Sequence, residues 1–299
     1  MKLFDLQVNG AYGVDFADPA LTADDFLKAS EKILDGGCTR FLPTLPTAAP
    51  ETYRRNLPLI NEAIESHGLR YAIPGFHLEG PFISKLPGAV GAHFPGWVQE
   101  PSPEALDLLD ELSGHHIALL TVAAEVPGMP ALIARAHELG ICVSLGHQLA
   151  DEAQIAAAGA DAMTHLGNGL PNLIDRHRNP IWSGLANDDI TVMAIADGHH
   201  LPASVLKCFI RCKGLDRLII VSDACNVAGL PPGHYHSFSN DAVLEPDGKY
   251  HNPAKGCLVG ASILLSGCAA FLQRAGLLDD AGIARVCWDN PHRLLHLQP

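Results

Sequence analysis

The chain has 299 residues, 47% of them hydrophobic and 18% charged, enough apolar material for a large core and too little charge for general disorder. Its formal net charge of −13 argues against nucleic acid or an anionic membrane as the main partner, and an anionic substrate would need local cationic or N–H anchors. Eight cysteines without a CxxC pair, no signal-type apolar start and no uninterrupted apolar run of about 18 residues predict buried free thiols in a cytoplasmic protein.

In chain order, residues 3–8 read as a strand in which Gln7 and the following Asn9 alternate with Leu6 and Val8, stopped by Gly10. A helix over 22–34 follows, with Thr22 as cap and Asp24 and Asp25 in the first turn, where negative charge suits the helix dipole. Strands over 39–42 and 72–78 flank a helix over 50–67, and the third strand runs into Glu79-Gly80-Pro81. Residues 82–103 form a long Gly- and Pro-rich loop, the kind that serves as a lid or binding loop. A helix over 103–112 leads to a fourth strand over 117–123, close to Glu125, and a helix over 129–139 delivers the fifth.

The stretch 143–170 organises the rest. Two short apolar strands end at His147 and His165, and an Ala-rich segment between them, acidic at its start and stopped by Gly159, predicts a crossover helix. A strand–helix–strand unit of this kind has parallel strands, so both histidines fall at one edge of the sheet, the edge where ligands bind in parallel α/β folds. An irregular loop over 167–180, a seventh strand over 191–196 before Asp197-Gly198-His199-His200, a helix over 202–212 and an eighth strand over 218–221 before Ser222-Asp223 complete the count. Eight strands separated by helices predict an α/β fold, a (β/α)8 TIM-type barrel, with an open doubly wound sheet as the alternative. A loop and hairpin (242–245 and 248–251) and helices over 263–275 and 281–288 follow, and nothing separates a second domain from residues 1–299.

On that reading Glu79, His147 and His165 meet at one rim. One carboxylate and two imidazoles suit a divalent metal, zinc first and iron(II) as an alternative, with a position left for water. Asp223 is then placed to take a proton from that water and return it to a leaving amine. The plainer alternatives are histidines that bond neighbouring carbonyls and an Asp223 that caps its own turn.

The ordered motifs DLQVNGAYGVDF, HLEGPFI, GHQLADEAQ, THLGNGL, ADGHH and VSDA, from Phe4 to Gly260, carry a resemblance. Together they resemble the N-acetylglucosamine-6-phosphate deacetylases of the amidohydrolase superfamily. The resemblance implies a metal-dependent barrel that removes the N-acetyl group from an amino sugar phosphate; a homodimer is the expected assembly. It implies Glu79, His147 and His165 as metal ligands and Asp223 as catalytic acid/base. It implies His93, Asn168, Gly169, Arg176, His200, Leu258, Val259 and Gly260 as substrate contacts. Gln7 and Asn9 stand where many amidohydrolases carry a His-x-His pair, which implies one metal rather than two.

The chain departs from the family pattern at Gly167, at Ala261 and in the segment DRHRNP, where Arg178 competes with Arg176 as anion anchor. Set beside the family, it also reads as a variant without the small β-sandwich domain. A deacylase of another N-acyl amine or cyclic amide, and a non-catalytic sugar-binding barrel, are the alternative functions.

Overall fold

The computed structural model describes residues 1–299. Eight parallel strands lie in chain order in one sheet: β1 (Phe4–Val8), β2 (Arg40–Pro46), β3 (Phe76–Glu79), β4 (Ile117–Val122), β5 (Cys142–Leu145), β6 (Ala162–Met163), β7 (Thr191–Ile195) and β8 (Leu218–Val221). The last strand returns to the first. The N–H of Asn9 donates to the Ala224 carbonyl over 2.7 Å, and the N–H of Ser222 donates to Asp5 Oδ1 over 3.1 Å. The sheet is therefore a TIM-type barrel and not an open doubly wound sheet.

Local chemistry explains the helices. Thr22 caps α1 (Ala23–Asp35) by accepting from the N–H of Asp25, and the helix buries Phe26, Ala29 and Ile33. Asp151 and Gln154 form a reciprocal capping box at the helix Glu152–Ala158, which Gly159 ends in the left-handed region. A 57-residue apolar cluster fills the space between helices and sheet.

Inside the barrel, residues two apart on each strand stack in layers. Phe4, Leu6, Leu42, Leu119, Met193, Ile219 and Trp288 form an apolar floor, joined by Leu294, Leu295 and Leu297 near the C-terminus. One layer up the side chains become polar. His77 Nε2 lies 2.8 Å from Thr121 Oγ1, which lies 2.7 Å from Thr164 Oγ1, and Thr164 donates to Ser144 Oγ over 2.7 Å. Burial pushes the His77 imidazole down to about 4, so it is a neutral member of this layer. The following residue of that parity on β3 is Glu79.

Some boundaries differ from the sequence expectation. The third strand starts at Phe76 rather than at residue 72, since Pro74 has no N–H to donate to a ladder. The loop after His165 is followed by a further helix, Pro180–Ala186, capped by Asn179 through the N–H groups of Ile181 and Trp182. The expected hairpin is the centre of a four-stranded antiparallel sheet, Gly233–Ser237, Asn240–Leu244, Tyr250–Asn252 and Cys257–Leu258. Its inner residues Ala242, Leu244 and Tyr250 pack on Cys225 and Val227 beyond the end of β8. The helical run expected over 281–288 divides into Asp280–Ala284, a π-turn over Arg285–Asp289 and Asn290–Leu294. No helix is long and apolar enough to cross a membrane.

Candidate active site

The strand ends deliver the site. Glu79 is the last residue of β3, His147 and His165 each follow their strands by two residues, and Asp223 does the same after β8. His147, His165 and Asp223 all have positive φ, 50°, 29° and 53°. Three non-glycine residues in that sparsely populated region mark backbone held against its local preference, and all three face one cavity.

Glu79 is the hub. Its Oε1 accepts from Gln7 Nε2 over 3.0 Å, and lies 3.1 Å from His147 Nε2 and 2.7 Å from His165 Nε2. Burial raises the Glu79 carboxyl, but hydrogen bonds and charge from His147 and His165 outweigh it and hold the group well below the usual carboxylate range. His93 joins from the long third loop, with Nε2 3.2 Å from His147 Nε2 and 3.7 Å from Glu79 Oε2.

Two sets of three could hold a cation: Glu79 with His147 and His165, or Glu79 with His93 and His147, whose ligating atoms all lie within 4.8 Å of one another. Hydrogen bonds to the other ring nitrogens separate them. His147 Nδ1 lies 2.8 Å from the carbonyl of Ala89, which only accepts, so Nδ1 carries the proton and Nε2 has a free lone pair. In the neutral ring that lone pair lies 3.1 Å from Glu79 Oε1, where a shared cation would take the place of the proton that otherwise joins the two.

His93 is the reverse case. Its Nδ1 accepts from the N–H of Thr47 over 3.2 Å, so in the neutral ring Nε2 bears the proton and donates. Burial, and then the neighbouring His147, push His93 down to about 3, which keeps it neutral. It is built as a hydrogen-bond donor rather than as a ligand. His165 points Nε2 at Glu79 and its Nδ1 is buried without a partner, so neither ring nitrogen is committed to a group outside the site. The donor set thus fits one metal ion on Glu79, His147 and His165.

Asp223 faces this group across the mouth of the barrel. Its Oδ1 accepts from Asn9 Nδ2 over 2.7 Å. Burial, and secondly the negative charge of Glu79, raise its carboxyl to about 6, where it can both take up and release a proton near neutrality. Asp197 orients another imidazole: His200 Nδ1 lies 2.6 Å from its Oδ2, while the N–H groups of His199 and His200 donate to its Oδ1. Burial opposes these bonds, yet they hold Asp197 down to about 2.

The cavity at this mouth is about 540 Å³, within the size range of small-ligand sites. Glu79, His93, His147, His165, Asn168, Gly169, His200, Asp223, Leu258 and Gly260 all line it. Gly169, at φ +61°, lies flat against His147, where a Cβ would sit 2.9 Å from Nδ1. A second cavity, about 470 Å³ between Ile155 and His296, lies at the N-terminal end of the barrel, away from these groups.

Two expected residues are placed elsewhere. Val259 is fully buried with Cys225 and Tyr250, because neighbours along an extended segment face opposite sides. Arg176, like its competitor Arg178, is exposed and absent from the cavity wall. Their segment is folded into a turn in which Asp175 Oδ1 accepts from the N–H groups of His177 and Arg178, and Trp182 Nε1 donates to the Arg176 carbonyl. Glu125 also lies outside the cavity and supports the His147 loop by accepting from the N–H of Leu149. Conversely, Lys255 and Phe238, from the antiparallel sheet, line the cavity. No local pattern in the sequence ties that sheet to the mouth.

The chain is similar to known deacetylases. The chain is 34% identical over 245 residues to N-acetylglucosamine-6-phosphate deacetylase of Danio rerio, covering 77% of this chain and 59% of that protein. It is 32% identical over 263 residues to N-acetylgalactosamine-6-phosphate deacetylase of Escherichia coli O157:H7, covering 87% of this chain and 68% of that protein. It superposes with a TM-score of 0.89 and 26% identity on a mutant N-acetyl-D-glucosamine-6-phosphate deacetylase from Mycobacterium smegmatis in complex with N-acetyl-D-glucosamine-6-phosphate, over 99% of this chain and 77% of that one. No protein-family profile matches the chain.

Proposed function

The chain belongs to the N-acetylglucosamine-6-phosphate deacetylase family, and on that footing we propose that it hydrolyses the N-acetyl group of an N-acetylated amino sugar 6-phosphate, releasing acetate and the free amine. The observation that carries this reading is the meeting of Glu79, His147 and His165 opposite Asp223 in one cavity. Relatives named for both N-acetylglucosamine and N-acetylgalactosamine phosphates leave the sugar epimer to experiment.

Glu79, His147 and His165 would hold one divalent cation, zinc first by the softness of two imidazoles and one carboxylate, with iron(II) second. When bound, such an ion lowers the pKa of water and polarises an amide carbonyl. The protein's own groups do the rest. Asp223, aligned by Asn9, accepts the proton of the attacking water and then delivers it to the amine nitrogen as the C–N bond breaks. His93, held with its proton on Nε2 by the N–H of Thr47, donates to an oxygen of the substrate. His200, fixed by Asp197, and the backbone around Asn168 and Gly169 line the space for the sugar.

We also read residues 1–299 as one barrel domain whose mouth sheet and C-terminal helices pack on the barrel. Eight unpaired cysteines support a reducing cytoplasmic setting. Exposed Leu86, Phe94, Leu173 and Trp182 on the segments after β3 and β6 support a homodimer. The test of function is acetate release from phosphorylated N-acetylglucosamine and N-acetylgalactosamine by metal-reconstituted protein. Release from neither, at full metal occupancy, would overturn the proposal.

A further inference from the structure

The turn between the strands Gly233–Ser237 and Asn240–Leu244 consists of Phe238 and Ser239 alone, since Ser237 pairs with Asn240. Both turn residues have positive φ, 51° and 61°, a conformation that suits glycine, asparagine or aspartate and strains a phenylalanine. A bulky residue persists at such a position where its surroundings hold it and its side chain has a task. The Phe238 ring is half-buried and lines the active-site cavity. We propose that Phe238 is the wall against which the substrate's acyl group packs, and that it sets the preference for an acetyl group over longer acyl chains. The proposal rests on the deacetylase reading above and names what limits the size of the group removed.

Three observations carry it. The turn is fixed rather than loose: Asn240 Nδ2 donates to the Phe238 carbonyl over 2.7 Å, and Ser237 Oγ lies 2.8 Å from the Tyr250 hydroxyl. The turn is also tied to the catalytic side of the cavity. Asn240 Nδ2 donates to the carbonyl of Ala92 over 2.8 Å, one residue before His93. Finally, this side of the cavity is apolar. Phe238 and Ala92 both pack on the cluster of Cys225, Val259 and Tyr250, and Leu258 lines the cavity with them. None of these residues comes from the loop after His165.

An N-acetylated amino sugar phosphate is polar over most of its surface, and the acyl methyl is its one wholly apolar end. That methyl is a single bond from the carbonyl carbon, whose oxygen faces the His93 donor in the reading above. It therefore belongs on the apolar side of the cavity next to His93. An aromatic ring held on a fixed turn leaves room for a methyl in van der Waals contact and obstructs a longer chain, because packed surroundings yield little to added methylenes.

The test compares wild type, Phe238→Ala and Phe238→Asn with N-acetyl-, N-propionyl- and N-butyrylglucosamine 6-phosphate. Asparagine removes the ring and suits the turn's backbone, and thermal melting monitored by circular dichroism establishes that each variant folds. Wild type is expected to prefer the acetyl substrate, measured as kcat/KM. Both variants are expected to raise the butyryl-to-acetyl ratio of kcat/KM about 10-fold or more, the scale on which an apolar pocket discriminates methylenes. The propionyl substrate should fall between.

An unchanged ratio in the folded variants, an equal loss for all three acyl chains, or a wild type that removes butyryl as readily as acetyl would overturn the assignment. If the wild type hydrolyses none of the three, the deacetylase reading falls and binding measured by calorimetry decides the wall. Tighter binding of the N-acetyl than of the N-butyryl sugar phosphate that disappears in Phe238→Asn supports it, and absence of that preference in the wild type overturns it.

Discussion

Asn9 and Asp223 are 214 residues apart in the chain and joined by a 2.7 Å hydrogen bond from Asn9 Nδ2 to Asp223 Oδ1. Two residues earlier, within β1, Gln7 donates to Glu79, so this segment sends one amide to each of the site's two carboxylates. Neither amide is a good zinc ligand; both are neutral donors that align an acceptor without adding charge. Their remaining oxygens, Gln7 Oε1 and Asn9 Oδ1, are buried without partners, a cost that a purely structural strand would not carry.

Removing the Asn9 donor should therefore act through Asp223. Asn9→Leu is expected to lower kcat about 10- to 100-fold while bound metal, measured by elemental analysis, stays at the wild-type level. Asp223→Asn, which deletes the proton acceptor itself, should lower it by on the order of a hundredfold or more. A full-rate Asn9→Leu enzyme would remove the amide from the mechanism.

The ring tautomers predict which imidazoles hold the metal. Glu79→Ala and His165→Ala should each lose bound metal, whereas His93→Ala should keep it and lose turnover, because His93 Nε2 already carries a proton. Metal loss from His93→Ala with retention in His165→Ala would assign the ion to the other set of three.

Gly169 packs its backbone on the His147 ring, and a Cβ there would meet Nδ1 at 2.9 Å in a backbone conformation that side chains rarely adopt. Gly169→Ala should displace the ring from the Ala89 carbonyl that sets its tautomer. The expected result is a metal affinity about 10-fold weaker or more, the usual scale for loss of a ligand's supporting bond, read by competition with a chelator.

Asp5 predicts a pH dependence of stability. Burial raises its carboxyl to about 7, only partly opposed by hydrogen bonds from Ser222 and Gln7. Between about pH 4, where the unfolded chain loses this proton, and pH 7, the folded state binds more protons than the unfolded one. The contribution of Asp5 to stability is present below that window and is lost as pH rises through it. Asp5→Asn keeps an acceptor for the two N–H groups and does not titrate. Its unfolding free energy relative to wild type should rise from pH 5 to pH 8 by on the order of a few kcal/mol, in denaturant titrations. Parallel curves for the two proteins would refute a buried, protonated Asp5.

The strand ends were legible because their signals are local. Val143–Leu145 before His147 and Leu218–Val221 before Asp223 are short apolar runs cut off by polar residues, and eight such runs separated by helices leave few topologies. Glu79, His147, His165 and Asp223 could be placed at one rim by counting strands. The turn around Asp175 and the helix at Pro180–Ala186 could not, since a seven-residue helix carries too few periods to stand out from its loop.

By itself the order of residues determined the barrel, the carboxylate and imidazoles at its mouth and the aspartate opposite them, because strand direction and period two follow from backbone geometry alone. Tertiary structure alone decided which nitrogen of His93 and of His147 bears its proton, and which cation lines the cavity. The first depends on whether the other nitrogen meets a carbonyl, as at Ala89, or an N–H, as at Thr47. The second depends on Lys255 reaching the mouth through contacts from Asn252 to Asn240 to Ala92, separated by 12 and 148 residues along the chain.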